Sequence, residues 1–557
     1  MGMSRDNSPP GLPRPAHSPP LGAFAMDRAK LDELIKTFFV CDKRQITQIF
    51  DELLSAMAAE EMLPPSTVMS RNYETAQANP EIHTLPGNLK DARDSIFPYF
   101  WGTDGWYSKL HLENVKGPAN YASLVGVLAC LLKNPNLCVD TYSQRSNELE
   151  LKAITALANL VFYHTESPWG VFTMGGTVSN LYGGKIGIEK VLPGAMRSGL
   201  QGRRIAGVVS EAAHYSNATL AGWLGIGTEN LHCVPTDRAI SMRLDLLADK
   251  LDELYRAETL VAFVIATFGG TDASGIDDVA AIREIINQKS AQYGQPAPQL
   301  HVDAAVGWAL CFLTEYHLHN NPFGLNDDSL PLVAEVQRQT QKLHHADSVT
   351  IDFHKMGWGH YPSSAFIVNR RADLEHLFRP KEQVPYFSEA DYRRDPALFT
   401  LECSRPAIGP YSVMASLNGL GLVGCQMLVA NALEMAHALK QRLDRLDCCK
   451  VLNAETVGPG VVWWVLPKGR NAKEIFDRVE RGEVPADEWR HYAAEIHRLF
   501  NKREAMLDPA IDARLSFTNS MGYRPHGVNL PAWKAVFFNP KTDYAVIDQI
   551  VASIEEL

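Results

Sequence analysis

Residues 346–368 read ADSVTIDFHKMGWGHYPSSAFIV. SVTIDF (348–353) and SAFIVN (364–369) are rich in the β-branched and aromatic residues that strands favour. Between them stands Lys355, directly after His354. An ammonium beside buried strands is costly without a partner. Either the lysine stem lies along apolar surface with its head in water, or the amine is placed there to lose its proton and form an imine.

Outward from this stretch the same texture repeats. RIAGVVS (204–210), LVAFVIATF (260–268) and QLHVDAAV (299–306) are further short β-rich runs, separated by helical stretches. VAFVIATF is apolar throughout, as a strand covered on both faces should be. The alternation predicts an α/β domain with a mainly parallel sheet. Ligands of such sheets sit at the carboxyl ends of the strands, and the residues with chemistry fall there. GGTVSN (175–180) follows a strand-like VFTM and precedes a helical LYGGKIGIEK. Glycines and small hydroxyl residues at a helix start make an anion site, through free N–H groups and the helix dipole. The pattern is neither a Walker loop nor G-x-G-x-x-G. SEAAHYS (210–216) presents His214, and ATFGGTDASGIDD (266–278) is a loop rich in Gly and Asp. HVDAAVGW (301–308) puts Asp303 at a strand end among small apolar residues, where a carboxylate needs a cationic partner. An anion site, a flat imidazole, an acid and a lysine on one sheet are what pyridoxal 5'-phosphate (PLP) requires.

The rest of the chain frames this domain. Residues 27–61, 117–134 and 146–164 have helical spacing of apolar residues, and 414–446 is a long helical run. VVWWVLP (461–467), AVFFNP (535–540) and a closing helix over 543–557 suggest a smaller α+β domain. The start, MGMSRDNSPPGLPRPAHSPPLGAF, is rich in Pro, Ser and Gly, which predicts disorder, and it lacks the apolar stretch of a secretory signal. The expected divisions are a disordered Pro-rich tail (1–25), an N-terminal helical segment (26–120), a large cofactor-binding domain (121–410) and a small C-terminal domain (411–557).

A formal net charge of -11 over 557 residues argues against nucleic acid or an anionic membrane as main partner. No uninterrupted apolar run reaches the roughly 18 residues of a membrane span. The nine cysteines are odd in number and form no C-x-x-C pair, which points to free thiols in a reducing, cytoplasmic compartment and to no zinc site. His344 and His345 are adjacent and make no metal pair, so no metal is expected.

Three segments, GGTVSN, HVDAA and ADSVTIDFHKMGWGHYPSSAFIV, carry a family likeness. With them the chain resembles, over roughly residues 80–557, the group II PLP-dependent amino-acid decarboxylases, a family that includes glutamate, aromatic amino-acid, cysteine sulfinate and bacterial tyrosine decarboxylases. The resemblance implies a PLP-dependent transferase-like fold, the aspartate aminotransferase fold type I. It also implies roles. Lys355, after His354, matches the lysine that forms the imine. Asp303 matches the partner of the pyridinium nitrogen, Ala305 the small residue under the ring, and His214 the histidine stacked on it. Thr177, Val178 and Ser179 match the phosphate loop, and His354 the histidine near the phosphate. Two departures stand out. Many relatives have Asn-Pro before His-Lys, where this chain has Asp352-Phe353. An acid would repel phosphate, so Asp352 is expected to turn away. After His214 comes Tyr215, with a small hydroxyl residue only at Ser216.

The resemblance also implies the reaction: loss of carbon dioxide from an L-amino acid, with a proton returned to Cα by a tyrosine on a mobile loop. That loop falls in 378–405, with Tyr386 the first candidate and Tyr392 the second. Phe387 matters because relatives with a non-hydroxyl residue at the donor position are aldehyde synthases. The expected substrate is an aromatic L-amino acid such as tyrosine, since HYP (360–362) is similar to the tyrosine-proline step of bacterial tyrosine decarboxylases. A glutamate-like acid is the alternative, because TLECSRP (400–406) resembles the Cys-x-Arg segment of glutamate decarboxylases. Arg405 is then either a carboxylate receptor or a structural ion-pair partner. A different PLP lyase and an inactive scaffold are the rival classes, and a scaffold would be expected to lack Lys355 or Asp303. The family is homodimeric, and residues 27–61 offer an apolar face for a second copy.

Overall fold

The computed structural model describes residues 28–38, 43–59, 73, 86–96, 107–161, 168–380, 383, 395–508 and 511–557. The chain forms two compact units, 1–105 and 106–557. The expected tail, 1–25, lies outside the described residues. The first unit contains helices Arg28–Phe38, Lys43–Ala59 and Leu89–Ile96.

The second unit is built on a seven-stranded sheet: β1 (Trp169–Thr173), β2 (Ile205–Ser210), β3 (Leu231–Val234), β4 (Leu260–Thr267), β5 (Gln299–Asp303), β6 (Ser348–Asp352) and β7 (Ser364–Val368). Their order is β1-β7-β6-β5-β4-β2-β3. The pairings from β6 through β5, β4 and β2 to β3 are parallel, and β7 runs antiparallel to both β6 and β1. This is the predicted α/β sheet. Every residue of β2, β4, β6 and β7 is buried, which is why these strands show no polar alternation. β3 was not anticipated. It is a short edge strand, LHCV, with only Val234 buried, so it carries little apolar signal.

Helix Gly176–Val191 begins at the end of β1 and packs closely on the sheet. A Cβ on Gly183 would lie 2.7 Å from the His301 ring, and one on Gly187 would lie 2.3 Å from the Ala262 carbonyl oxygen. Close approach explains glycines in LYGGKIGIEK despite their helix-weakening entropy.

The smaller sheet, β8 (Cys449–Val451), β9 (Gly460–Val465), β10 (Ser516–Thr518) and β11 (Ala532–Val536), is antiparallel in the order β10-β11-β9-β8. Helices Ala472–Glu480, Ala486–Met506 and Tyr544–Glu555 accompany it. Trp463, Trp464 and Trp533 are fully buried there, and the Phe500 ring meets Trp533 edge-on at 5.4 Å. Residues near 110 join this part of the chain: Leu112 N–H donates to the Arg514 carbonyl, and the Leu112 carbonyl accepts from Val536 N–H.

Helix Ile408–Leu443 links the two sheets and breaks at Gly421, whose φ is 66°. By length and mean hydropathy (1.6 over its best window) it meets the criteria of a membrane span, so the apolar content is higher than a search for unbroken apolar runs indicates. Its Val429, Leu433, Ala436 and Leu439 belong to the main core, and core helices of large domains share this composition.

Candidate active site

β1, β2, β5 and β6 each end at the same edge of the sheet, and the segments that leave them meet in one pocket. Its walls include Thr177, His214, Asp303, Ala305 and Lys355, all expected from the sequence, together with Gly176, Asn180, Thr267, Gly269, Gly270 and Asp352. Val178 and Ser179 are turned away from this pocket. Val178 packs beside Val171, Tyr182 and Phe366. Ser179 is fully buried and shares a 2.8 Å hydrogen bond with Thr173 Oγ1. Their backbone N–H groups both donate to Gly175 O, at 3.0 and 3.2 Å. The first N–H groups of the helix, at Gly176 and Thr177, have no carbonyl a turn earlier to bond. The unbonded N–H groups at this helix start are therefore those of Gly176 and Thr177, one residue earlier than the expected set Thr177, Val178 and Ser179.

Asp303 closes β5. Its Oδ1 accepts from Ala305 N–H at 3.2 Å and its Oδ2 from Asn180 Nδ2 at 2.8 Å. Asn180 was missed. It is held in turn by Thr350 Oγ1, which donates to Asn180 Oδ1 at 2.7 Å, and by His301 Nε2 at 3.0 Å from the same oxygen. Burial lowers the His301 pKa to about 3, so the ring is a neutral member of this network. The signal for Asn180 is helical spacing: Gly176, Thr177 and Asn180 share one face, while Val178 and Ser179 do not.

His214 follows β2. Its Nδ1 lies 2.8 Å from Ser216 Oγ, and its carbonyl accepts from Asn217 Nδ2 at 3.0 Å. Burial lowers its pKa, and the Lys355 charge adds to that against nearby acids, so the imidazole is neutral at pH 7. Ser216 thus serves the ring that Tyr215 flanks at 4.3 Å between centroids.

Lys355 sits in the turn after β6. Its Nζ is 2.9 Å from Asp352 Oδ2. Both are nearly buried, with 13% and 5% side-chain exposure. The lysine therefore does not reach for water. Burial disfavours the ammonium, but Asp352 and then Asp303 outweigh it and hold the Lys355 pKa above its ordinary value. Asp352 does not turn away as expected. It faces the pocket, because the antiparallel register sets it opposite Ser364, whose hydroxyl donates to Oδ1 at 2.5 Å. His354 lies beside the pair, with Nε2 3.7 Å from Asp352 and its ring 3.8 Å from that of Tyr361. Burial depresses its pKa to about 4. Tyr386, Phe387 and Tyr392 lie outside the described residues.

Arg405 is a structural ion-pair partner. It is buried, and its guanidinium grips Glu150 with both arms, Nη1–Oε1 at 2.7 Å and Nη2–Oε2 at 2.8 Å. It also donates to the carbonyls of Leu137 and Phe172, while Glu150 accepts from Phe172 N–H. The pair pins the end of β1 to the segment before helix Ile408–Leu443. Glu150→Gln leaves a buried guanidinium uncompensated, which costs about 3–5 kcal/mol. A clear fall in Tm with little change in KM is expected, and calorimetry beside steady-state kinetics checks it.

Residues 69–466 match the pyridoxal-dependent decarboxylase conserved domain. The chain is 25% identical over 450 residues to the acidic amino acid decarboxylase GADL1 of Bos taurus, covering 79% of this chain and 75% of that protein. Among solved structures, mouse CSAD in apo form superposes with a TM-score of 0.73 at 17% identity, over 92% of this chain and 99% of that one. Catharanthus roseus tryptophan decarboxylase in complex with L-tryptophan gives 0.69 at 15% identity, over 92% and 97%. The chain belongs to the pyridoxal-dependent decarboxylases, as a group II PLP-dependent amino-acid decarboxylase of fold type I.

Proposed function

We propose that this pocket is where PLP is held, with Lys355 supplying the amine for its carbonyl. The single observation that carries the reading is the meeting of Lys355, Asp303, His214 and the Gly176 helix start at four strand ends in one pocket. The pocket also fits the group chemically. Thr267, which lines the pocket, has a buried Oγ1 with no hydrogen-bond partner among the described residues, whereas His354 lies behind the Asp352–Lys355 pair and is not among the lining residues. A buried, partnerless polar atom is rare unless a ligand satisfies it. When bound, PLP draws electrons from the substrate Cα, so that the bond to the carboxylate can break.

The chain's own groups each have a task. Asp303, whose carboxylate is held by two donors, would partner the ring nitrogen. His214 offers a neutral flat ring. Gly176 and Thr177 offer N–H groups to phosphate. Tyr386 is proposed as the acid that returns a proton to Cα. Tyr386→Phe is expected to lower amine yield by about 10²-fold and to raise aldehyde and peroxide, with cofactor binding intact. Amine and peroxide assays decide it, and an unchanged amine yield would move the role to Tyr392.

For the substrate, we infer an aromatic L-amino acid. The Tyr215 ring lies 4.3 Å from that of His214 and Tyr361 lies near Lys355, and the two are 82% and 52% exposed, which puts aromatic rings beside the pocket. Lys355 is already paired, and Arg405 is committed to Glu150. An acidic amino acid is the second reading, favoured by the likeness to acidic amino acid decarboxylases. A panel of amino acids scored for carbon dioxide tests both. Tyrosine or another aromatic residue as best substrate supports the first, and glutamate or a sulfinate supports the second.

We also propose a homodimer in a reducing, cytoplasmic compartment. Support comes from the exposed apolar residues Tyr121, Val125, Leu131, Leu422, Val423 and Met427 on two helices of the second unit. Such a face is unusual on a monomer.

A further inference from the structure

The position three residues before the active lysine carries an acid in this chain, and the fold aims that acid into the pocket. Asp352 is buried at the end of β6. Its Oδ2 faces Lys355 Nζ at 2.9 Å, and Oδ1 is fixed by Ser364 of β7. A Cβ added to Gly176 would lie 3.0 Å from the Asp352 carboxylate. The acid therefore touches both the lysine and the helix start that would receive a phosphate.

The charges around it are few. On its own segment stand Lys355 and the neutral His354. From β5 comes Asp303, and from the turn after the lysine Tyr361, both of which favour the Lys355 ammonium, and after β2 stands the neutral His214, which the charges of Lys355 and Asp352 both reach. β7 contributes only the Ser364 hydroxyl, and the helix at Gly176 contributes its positive dipole end. Lys355 and Asp352 thus form a neutral pair as long as the lysine is charged. Once the amine is committed elsewhere, the carboxylate stands uncompensated beside an anion site. An amide would keep the shape and the Ser364 hydrogen bond without that charge.

We propose that Asp352 is the counter-ion that holds Lys355 as an ammonium whenever the lysine is free, and that the same carboxylate weakens the pocket's grip on a phosphate at the Gly176 turn. The inference rests on the reading of the pocket as the PLP site. It gives the acid a function: it parks the freed lysine, and it sets how readily the phosphorylated cofactor leaves.

The test uses the full-length chain stripped of cofactor, as wild type and as Asp352→Asn. The first measurement is binding of pyridoxine 5'-phosphate, which has the phosphate but no aldehyde. Asp352→Asn should bind it about tenfold or more tightly, as removal of a nearby like charge predicts. The second is the pH midpoint for capture of free pyridoxal, trapped by borohydride and located by peptide mapping. The amine and the aldehyde condense with loss of water, and borohydride reduces the carbon–nitrogen double bond. The midpoint at Lys355 should fall by about one pH unit or more in Asp352→Asn. Both expected changes are gains, which a damaged fold cannot imitate. Equal or weaker binding, or a midpoint unmoved or raised, overturns the inference while leaving the pocket assignment standing. Capture of pyridoxal by the wild type on a residue other than Lys355 overturns both.

Discussion

Lys355→Ala is expected to abolish turnover, by at least roughly 10³-fold, because no other group in the pocket can supply a primary amine to the cofactor. Among the described residues that line the pocket, Lys355 is the one lysine. The substitution has a side effect that must be separated from catalysis. It leaves the buried Asp352 without its partner at 2.9 Å, and an uncompensated buried charge costs about 3–5 kcal/mol. Lys355→Arg is the control. It keeps a positive charge facing Asp352, yet a guanidinium stays protonated and cannot act as the amine. Turnover lost in both variants, with Tm largely kept in Lys355→Arg, is the expected pattern. Decarboxylation retained in Lys355→Arg at near wild-type rate would remove the lysine from the chemistry.

Asp303→Asn is expected to lower turnover by roughly 10²- to 10⁴-fold, the rate equivalent of the about 3–5 kcal/mol lost when one partner of a buried charge pair is truncated. The geometry explains why the change is so poorly tolerated. Both carboxylate oxygens accept, one from Ala305 N–H and the other from Asn180 Nδ2. An amide can present its oxygen to only one of these donors and must set its nitrogen against the other. The replacement therefore removes the charge and disturbs the orientation, while the phosphate end and Lys355 remain. Cofactor retention with collapsed kcat is the expected result, read by the bound chromophore and steady-state rates. A kcat within a few-fold of wild type would contradict the role given to Asp303.

Much of this site is legible in the sequence because its residues stand at strand ends, and strand ends are easy to read in an apolar parallel sheet. Asp303 is the last residue of β5, and Lys355 follows β6 by three residues. What the sequence hides is where a side chain points once two distant segments pair. Asp352 looked unsuited to a phosphate pocket, and an outward turn was the economical expectation. The register of β6 on β7 sets Ser364 beside it and keeps it inside. The same limit applies to Arg405, whose partner Glu150 is 255 residues away. Val178 and Ser179 lie in the matching motif, but helical spacing turns them into the protein and leaves Asn180 facing Asp303. β3 escaped notice because an edge strand of four residues needs little apolar content.

The most direct test of the account is borohydride reduction of the enzyme with its cofactor bound, followed by peptide mapping. The account predicts that visible absorbance is lost and that the pyridoxyl group is found on the peptide carrying Lys355. A label on another lysine, or no label at all, would contradict it.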